Sequence, residues 1–136
     1  MRKYWSTILV LSIAALPPRA AAQQNPTQAG GPAMASADVA IGTGVADRQL
    51  TGTAASFPAS TGAVYCYMKI ENAAETEVEH VWYKGDVEMA RVKLNVRGSP
   101  WRTWSSKKLT ADSVGDWRCD VVQNGNVIKS VKFKVE

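Results

Sequence analysis

Strict alternation of apolar and polar residues recurs along this chain and limits what it can fold into more than any other feature. Val64, Cys66, Met68 and Ile70 fall on one side of an extended backbone, with Tyr65, Tyr67 and Lys69 on the other. Ala90, Val92, Leu94 and Val96 alternate with Met89, Arg91, Lys93 and Asn95, and Trp117, Cys119 and Val121 with Asp116, Arg118 and Asp120. Near the C-terminus, Val131, Phe133 and Val135 alternate with Ser130, Lys132 and Lys134. Successive side chains on a strand point to opposite faces, so each segment predicts a strand with one buried and one wet face. No stretch sustains a 3.6-residue period long enough for a helix. Weaker strand candidates at Asp38 to Val45, Thr76 to Tyr83 and Trp101 to Ser106 bring the number to about seven, with turn residues between them at Gly85-Asp86, Gly98-Ser99-Pro100 and Asn124-Gly125-Asn126. Strands spaced by roughly ten residues with turns between them predict an all-β, antiparallel sandwich.

The N-terminus reads differently. Met1-Arg2-Lys3 is a short positive region, Ile8 to Leu16 is apolar, and Ala20-Ala21-Ala22 supplies the small residues of a signal-peptide cleavage site. Residues 1–22 are therefore expected to be a signal peptide, 23–36 a flexible tether rich in Gln, Gly, Pro and Ala, and 37–136 the sandwich domain. The apolar run is about half the ~20 residues a membrane-spanning helix needs, so stable membrane insertion after cleavage is not expected. A periplasmic or secreted location follows. The chain carries 16 basic and 12 acidic residues, but Arg2, Lys3 and Arg19 lie in the leader and none of the acids does, which leaves the mature chain close to neutral. A nucleic-acid partner is not expected on that balance.

An exported chain meets an oxidising environment, and the two cysteines, Cys66 and Cys119, both fall on the apolar face of their strands. A disulfide between them is expected, closing a loop whose entropy is worth about 4 kcal/mol. Trp82 lies between them in the chain, and Trp117 stands two residues before the second cysteine. That order of Cys, Trp and aromatic-x-Cys resembles the immunoglobulin framework, with Trp117 in the place of the usual Tyr. The fold expected is an immunoglobulin-like antiparallel β-sandwich.

A second resemblance rests on Val45-Ala46-Asp47-Arg48, Val64-Tyr65-Cys66-Tyr67, His80-Val81-Trp82-Tyr83, Val92-Lys93-Leu94-Asn95-Val96, the run Trp101-Arg102-Thr103-Trp104-Ser105-Ser106-Lys107, and Gly115-Asp116-Trp117-Arg118. Through these segments the chain, from about Ala40 to Val135, resembles a bacterial secreted-domain family known as domain of unknown function 2914. The resemblance implies an exported β domain and supplies no reaction or ligand.

Catalytic and metal constellations are weak. His80 is the sole histidine, which excludes a His-rich zinc site, and bridged cysteines cannot ligate as thiolates, so no metal and no cofactor are expected. As a general base His80 would need Ser105 or Ser106 as nucleophile with Asp112, Asp116 or Asp120 as orienting acid, yet it shares a face with Val78 and Trp82 and reads as a hydrogen-bonded framework residue. Ser105-Ser106-Lys107-Lys108 fits an S-x-x-K pattern that requires a helix, but it continues a Trp-rich strand. Gly42-Thr43-Gly44 opens a G-x-G pattern with Asp47 where the third glycine belongs. Glu71, Glu75, Glu77 and Glu79 read as solvated charge on a connection and strand edge. An enzyme is not expected.

The stretch Arg91 to Lys108 holds six basic residues, no acid, and Trp101 and Trp104. Three residues apart on a strand, the two indoles point to opposite faces. With Trp101 inward, Arg102, Trp104 and Ser106 form an outward stripe in which an arginine can stack on the indole, and outward Tyr65 and Tyr67 extend it if the strands are neighbours. Flat aromatics beside bidentate donors suit a polysaccharide, and the same set suits an envelope protein partner. The function expected is non-catalytic binding of polysaccharide, with a structural or protein-interaction subunit of the cell envelope as the alternative. The exported protein should lack residues 1–22, which the intact mass of protein recovered outside the cytoplasm checks; a mass that includes them overturns the assignment.

Overall fold

The structure, a computed structural model, describes residues 34–136. The expected signal peptide, and the expected tether up to residue 33, lie outside the described residues. Ten strands are present among those described: β1 (Ser36–Gly42), β2 (Gly44–Ala46), β3 (Gln49–Thr51), β4 (Ser56–Phe57), β5 (Ala63–Glu71), β6 (Thr76–Lys84), β7 (Val87–Val96), β8 (Trp101–Lys108), β9 (Gly115–Gln123) and β10 (Asn126–Val135). The seven long ones coincide with the seven read from alternation. The short β2, β3 and β4 were not foreseen.

Strands β1, β5 and β8 form one sheet and β4, β10, β9, β6 and β7 a second, with β2 and β3 as a separate hairpin. Pairing is antiparallel except where β4 runs parallel to β10. The two larger sheets pack face to face. Ile41, Val64 and Cys66 of the three-stranded sheet meet Trp82, Trp117, Cys119 and Phe133 of the five-stranded one, and Met68 and Ile70 meet Val78, Val96 and Val121. These are the apolar positions of the alternation, so burial of one face of each strand specifies register, since a one-residue slip would turn that whole face to water.

Aromatic packing fills the centre. The ring of Phe133 meets Trp82 edge-on at 6.1 Å and lies nearly parallel to Trp117 at 6.0 Å. Trp117 Nε1 donates a 2.6 Å hydrogen bond to the Ser113 carbonyl, four residues upstream. An immunoglobulin tyrosine corner likewise bonds back to upstream backbone, so Trp117 supplies the same kind of tie with an indole N–H.

Two tight hairpins are built in different ways. Asn124 and Gly125 both have positive φ (51° and 78°), the type I′ geometry whose twist suits adjoining strands β9 and β10. Between β2 and β3 the same sign of φ is taken by Asp47 (50°) and Arg48 (59°), neither a glycine. Tertiary contacts hold Arg48 there: its carbonyl accepts the Tyr67 hydroxyl at 2.5 Å, and its Nη2 donates to the Arg102 carbonyl at 3.2 Å. Gly42 lets this hairpin sit down, because a Cβ there would overlap the Thr51 carbonyl and the Leu50 side chain. The G-x-G run is therefore a site of close backbone approach.

Trp117 is 3% exposed, whereas Trp104 is half-buried on the outer face. Trp117→Ala should cost about 3–5 kcal/mol, as for other buried aromatics, and Trp104→Ala under about 1.5 kcal/mol. Denaturant unfolding of the two variants measures both; equal losses would make Trp104 a core residue.

Candidate functional site

The outer face of the three-stranded sheet gathers the residues expected to bind. Antiparallel register sets Tyr65 opposite Ser106, Tyr67 opposite Trp104 and Lys69 opposite Arg102. Because Cys66, Met68 and Ile70 are fully buried, the intervening residues of β5 point away from the core. Strands β5 and β8 are thus neighbours, and Tyr65, Tyr67, Arg102, Trp104 and Ser106 share one surface. Ser106 is exposed and the other four are half-buried.

Two details differ from the expected stripe. Tyr67, and not Arg102, covers the indole of Trp104: their rings stack with centroids 6.1 Å apart and 12° between planes. Directly opposed residues of an antiparallel pair bring their Cβ atoms within about 5 Å, which gives Tyr67 the closer approach. The surface is also not fully open, because the β2–β3 hairpin leans on it through the Tyr67 hydroxyl bond to Arg48. The arginine that does lie over an indole is Arg48, 5.6 Å from the ring centroid of Trp101. Beside the hairpin is a shallow cleft of about 360 Å³ whose lining includes Asp38, Gln49, Leu50, Tyr67, Lys69 and Arg102. Asp38, Gln49 and Leu50 were missed from the sequence because their approach depends on a hairpin whose turn residues carry no turn signature.

A second grouping lies inside the sandwich. His80 on β6 is 0% exposed, and its Nδ1 lies 2.7 Å from Ser105 Oγ on β8. The same hydroxyl accepts a 3.2 Å hydrogen bond from Trp82 Nε1. This is the framework histidine anticipated from alternation. Asp120 does not complete a triad with it: Asp120 lies next to Val121, the register partner of His80, and so on the opposite face of the sheet, where it accepts from Ser130 at 2.6 Å. Arg118 Nε stands 2.9 Å from the same Asp120 carboxylate as a charge contact without hydrogen-bond alignment. The S-x-x-K run is strand throughout, so Lys108 is not presented to Ser105 from a helical turn. Glu79 and Glu71 are ion-paired with Arg91 at 2.6 Å and Lys69 at 3.7 Å.

Cys66 and Cys119 approach each other across the same core as two buried thiols, and the disulfide expected between them is not shown. His80 joins them, the two sulfurs and an imidazole nitrogen all lying within 4.8 Å of one another. Burial pushes the Cys66 thiol up, but the hydrogen bond from Cys119 and the adjacent His80 outweigh it and lower the thiol to about 6. Cys119 is pushed up, by burial first and then by the hydrogen bond and charge of Cys66. This grouping was not foreseen, because a bridge between the cysteines removes them as ligands. Its one sequence signal was that Cys66, His80 and Cys119 all fall on inward positions.

Residues 75–135 match the family described as "Protein of unknown function (DUF2914)". The match covers the part of the resemblance from β6 onward. Among solved structures, an immunoglobulin-like protein from Pseudomonas aeruginosa is 17% identical, with a TM-score of 0.54 over 79% of this chain and 100% of its own. An engineered protein is 10% identical, with a TM-score of 0.43 over 77% of this chain and 20% of its own. No curated protein matches the sequence. The fold is an immunoglobulin-like antiparallel sandwich, as expected from the cysteine and tryptophan framework.

Ser105→Ala leaves His80 Nδ1 and Trp82 Nε1 without their shared partner. An unpaired buried polar group costs about 1–3 kcal/mol, so the variant should lose at least that much stability in a denaturant titration. An unchanged midpoint would show that the hydroxyl does not tie the sheets together.

Proposed function

We propose that this chain is a non-catalytic, periplasmic or secreted binding module that contacts polysaccharide through Tyr65, Tyr67, Arg102, Trp104 and Ser106. The observation that carries this reading is the stacked Tyr67–Trp104 pair on an outward sheet face, with Lys69 and Arg102 on one side and Tyr65 and Ser106 on the other. Aromatic surface accepts the apolar faces of sugar rings, and arginine offers a fork of donors to hydroxyl or acidic substituents. The platform is preorganised. Tyr67 is held through its hydroxyl by Arg48, and both aromatics rise from paired strands, so little side-chain entropy remains to be lost on binding. The adjoining cleft provides Asp38 and Gln49 as further polar groups for a chain that runs past the aromatics. Among the described residues no helix is long and apolar enough to cross a membrane.

A specific feature favours the envelope-subunit alternative. Strand β7 is the edge of the five-stranded sheet and carries Val87 and Met89 at 62% and 46% exposure. An unpaired edge with exposed apolar residues is a template for another strand.

Affinity electrophoresis in gels containing neutral or acidic polysaccharides tests the first reading. Trp104→Ala and Arg102→Ala should each weaken retention on a glycan that retards the parent, with thermal midpoints within a few degrees of it. Retention unaffected by both variants, or no retardation in any gel, overturns the polysaccharide reading. Concentration-dependent assembly abolished by Val87→Lys would then support the subunit.

A further inference from the structure

The grouping of Cys66, His80 and Cys119 is separate from the outer face and has no part in the proposed glycan contact. Two thiols and an imidazole, all fully buried, lie with their donor atoms within 4.8 Å of one another. Two ligands at about 2.3 Å from a common ion stand at most about 4.6 Å apart, so the spacing is close to what one metal ion spans. An independent observation concerns the imidazole. Its Nδ1 is engaged by Ser105, while Nε2 is buried without an aligned hydrogen-bond partner among the described residues, and the polar group the imidazole stands beside is the Cys66 sulfur. Buried polar atoms are nearly always satisfied, and those that are not call for an account. In metal sites, one ring nitrogen of a ligating histidine binds the ion and the other donates to a fixed acceptor that sets the tautomer. Ser105 fits that second role: its hydroxyl accepts from Trp82 Nε1 and has a further lone pair for an Nδ1–H.

We propose that Cys66 Sγ, Cys119 Sγ and His80 Nε2 form a binding site for one soft d10 cation, Zn2+ or Cu+, with Ser105 as the positioning residue for the imidazole. Thiolate and imidazole donors select these ions over hard cations, which prefer oxygen. The balance of charge distinguishes the two. Zn2+ displaces both thiol protons, and two thiolates with a neutral imidazole then give an uncharged centre. Cu+ bound by the same two thiolates also displaces both protons, leaves a centre of net charge −1, and accepts three ligands without a fourth. In either case the metal–sulfur bonds form at the expense of S–H bonds, the protons pass to solvent, and no electron is transferred. The ion would join β5 of one sheet to β6 and β9 of the other at the centre of the sandwich. Its location there, with no exposed ligand, assigns it a stabilising part.

The test uses the full chain, reduced and stripped with a chelator in mild denaturant, then refolded with one equivalent of Zn2+, or of Cu+ under exclusion of oxygen. The result expected is one ion per chain by native mass spectrometry with at least one of the two metals, accompanied by protection of both thiols and a raised thermal midpoint. Retention of Zn2+ alone indicates the uncharged centre, and retention of Cu+ alone the three-coordinate one. The Cys66→Ala, Cys119→Ala double variant keeps small apolar groups in the core and should fold yet lose binding at least 100-fold. Ser105→Ala should keep the one-to-one stoichiometry with affinity lowered about 10- to 100-fold, the usual effect of removing such a partner. The proposal is overturned if the reduced parent retains neither ion, if the double variant binds as well as the parent, or if exported protein carries a Cys66–Cys119 disulfide in place of metal.

Discussion

The hydroxyl of Ser105 ties the two sheets of this sandwich together through polar contact, and much else is arranged around it. It projects from the three-stranded sheet and meets His80 and Trp82, two residues apart on β6 of the opposing sheet. Apolar packing alone is non-directional and tolerates small slides between facing sheets. A buried hydroxyl bonded to two buried donor-bearing rings does not, because any slide leaves polar atoms desolvated and unpaired. Trp82 is thereby fixed against Phe133, Phe133 against Trp117, and Trp117 through its own N–H against the Ser113 carbonyl.

The outer face depends on a different device. A three-stranded sheet with Tyr, Trp, Lys and Arg on its wet side would by itself be a flat surface. The β2–β3 hairpin turns part of it into a cleft, seated through Gly42 and through Arg48, whose left-handed backbone is maintained by the Tyr67 and Arg102 contacts. Positive φ at a residue such as arginine costs energy and persists only where surroundings over-determine it. The contacts that do so here reach the strands bearing the stacked aromatics, so hairpin and platform support one another.

The core cysteines can serve in two ways, and the bond between them decides which. Two inward cysteines in an exported chain suggest a bridge, and a bridge leaves the lone histidine without ligand partners. With both thiols free, the same three residues form a compact sulfur–nitrogen cluster. The relevant distances run between strands that are neighbours in space but separated by 14 residues from Cys66 to His80 and 39 from His80 to Cys119.

Alternation by itself determined the seven long strands, their buried faces and the type I′ turn at Asn124-Gly125, because these rest on local periodicity and on the backbone freedom of particular residues. It also placed His80, Trp82 and Trp117 in the core and set Tyr65, Tyr67, Arg102, Trp104 and Ser106 outward. Tertiary structure alone decided which strands lie side by side, and hence that Tyr67 opposes Trp104. It also decided that a hairpin formed by Asp47 and Arg48 leans on their sheet, and that Ser105 meets His80. Period two states which way a side chain points and leaves open what it meets. Partners across a sheet or between sheets are set by chain topology and by the packing of the whole core, to which residues far apart in sequence contribute together.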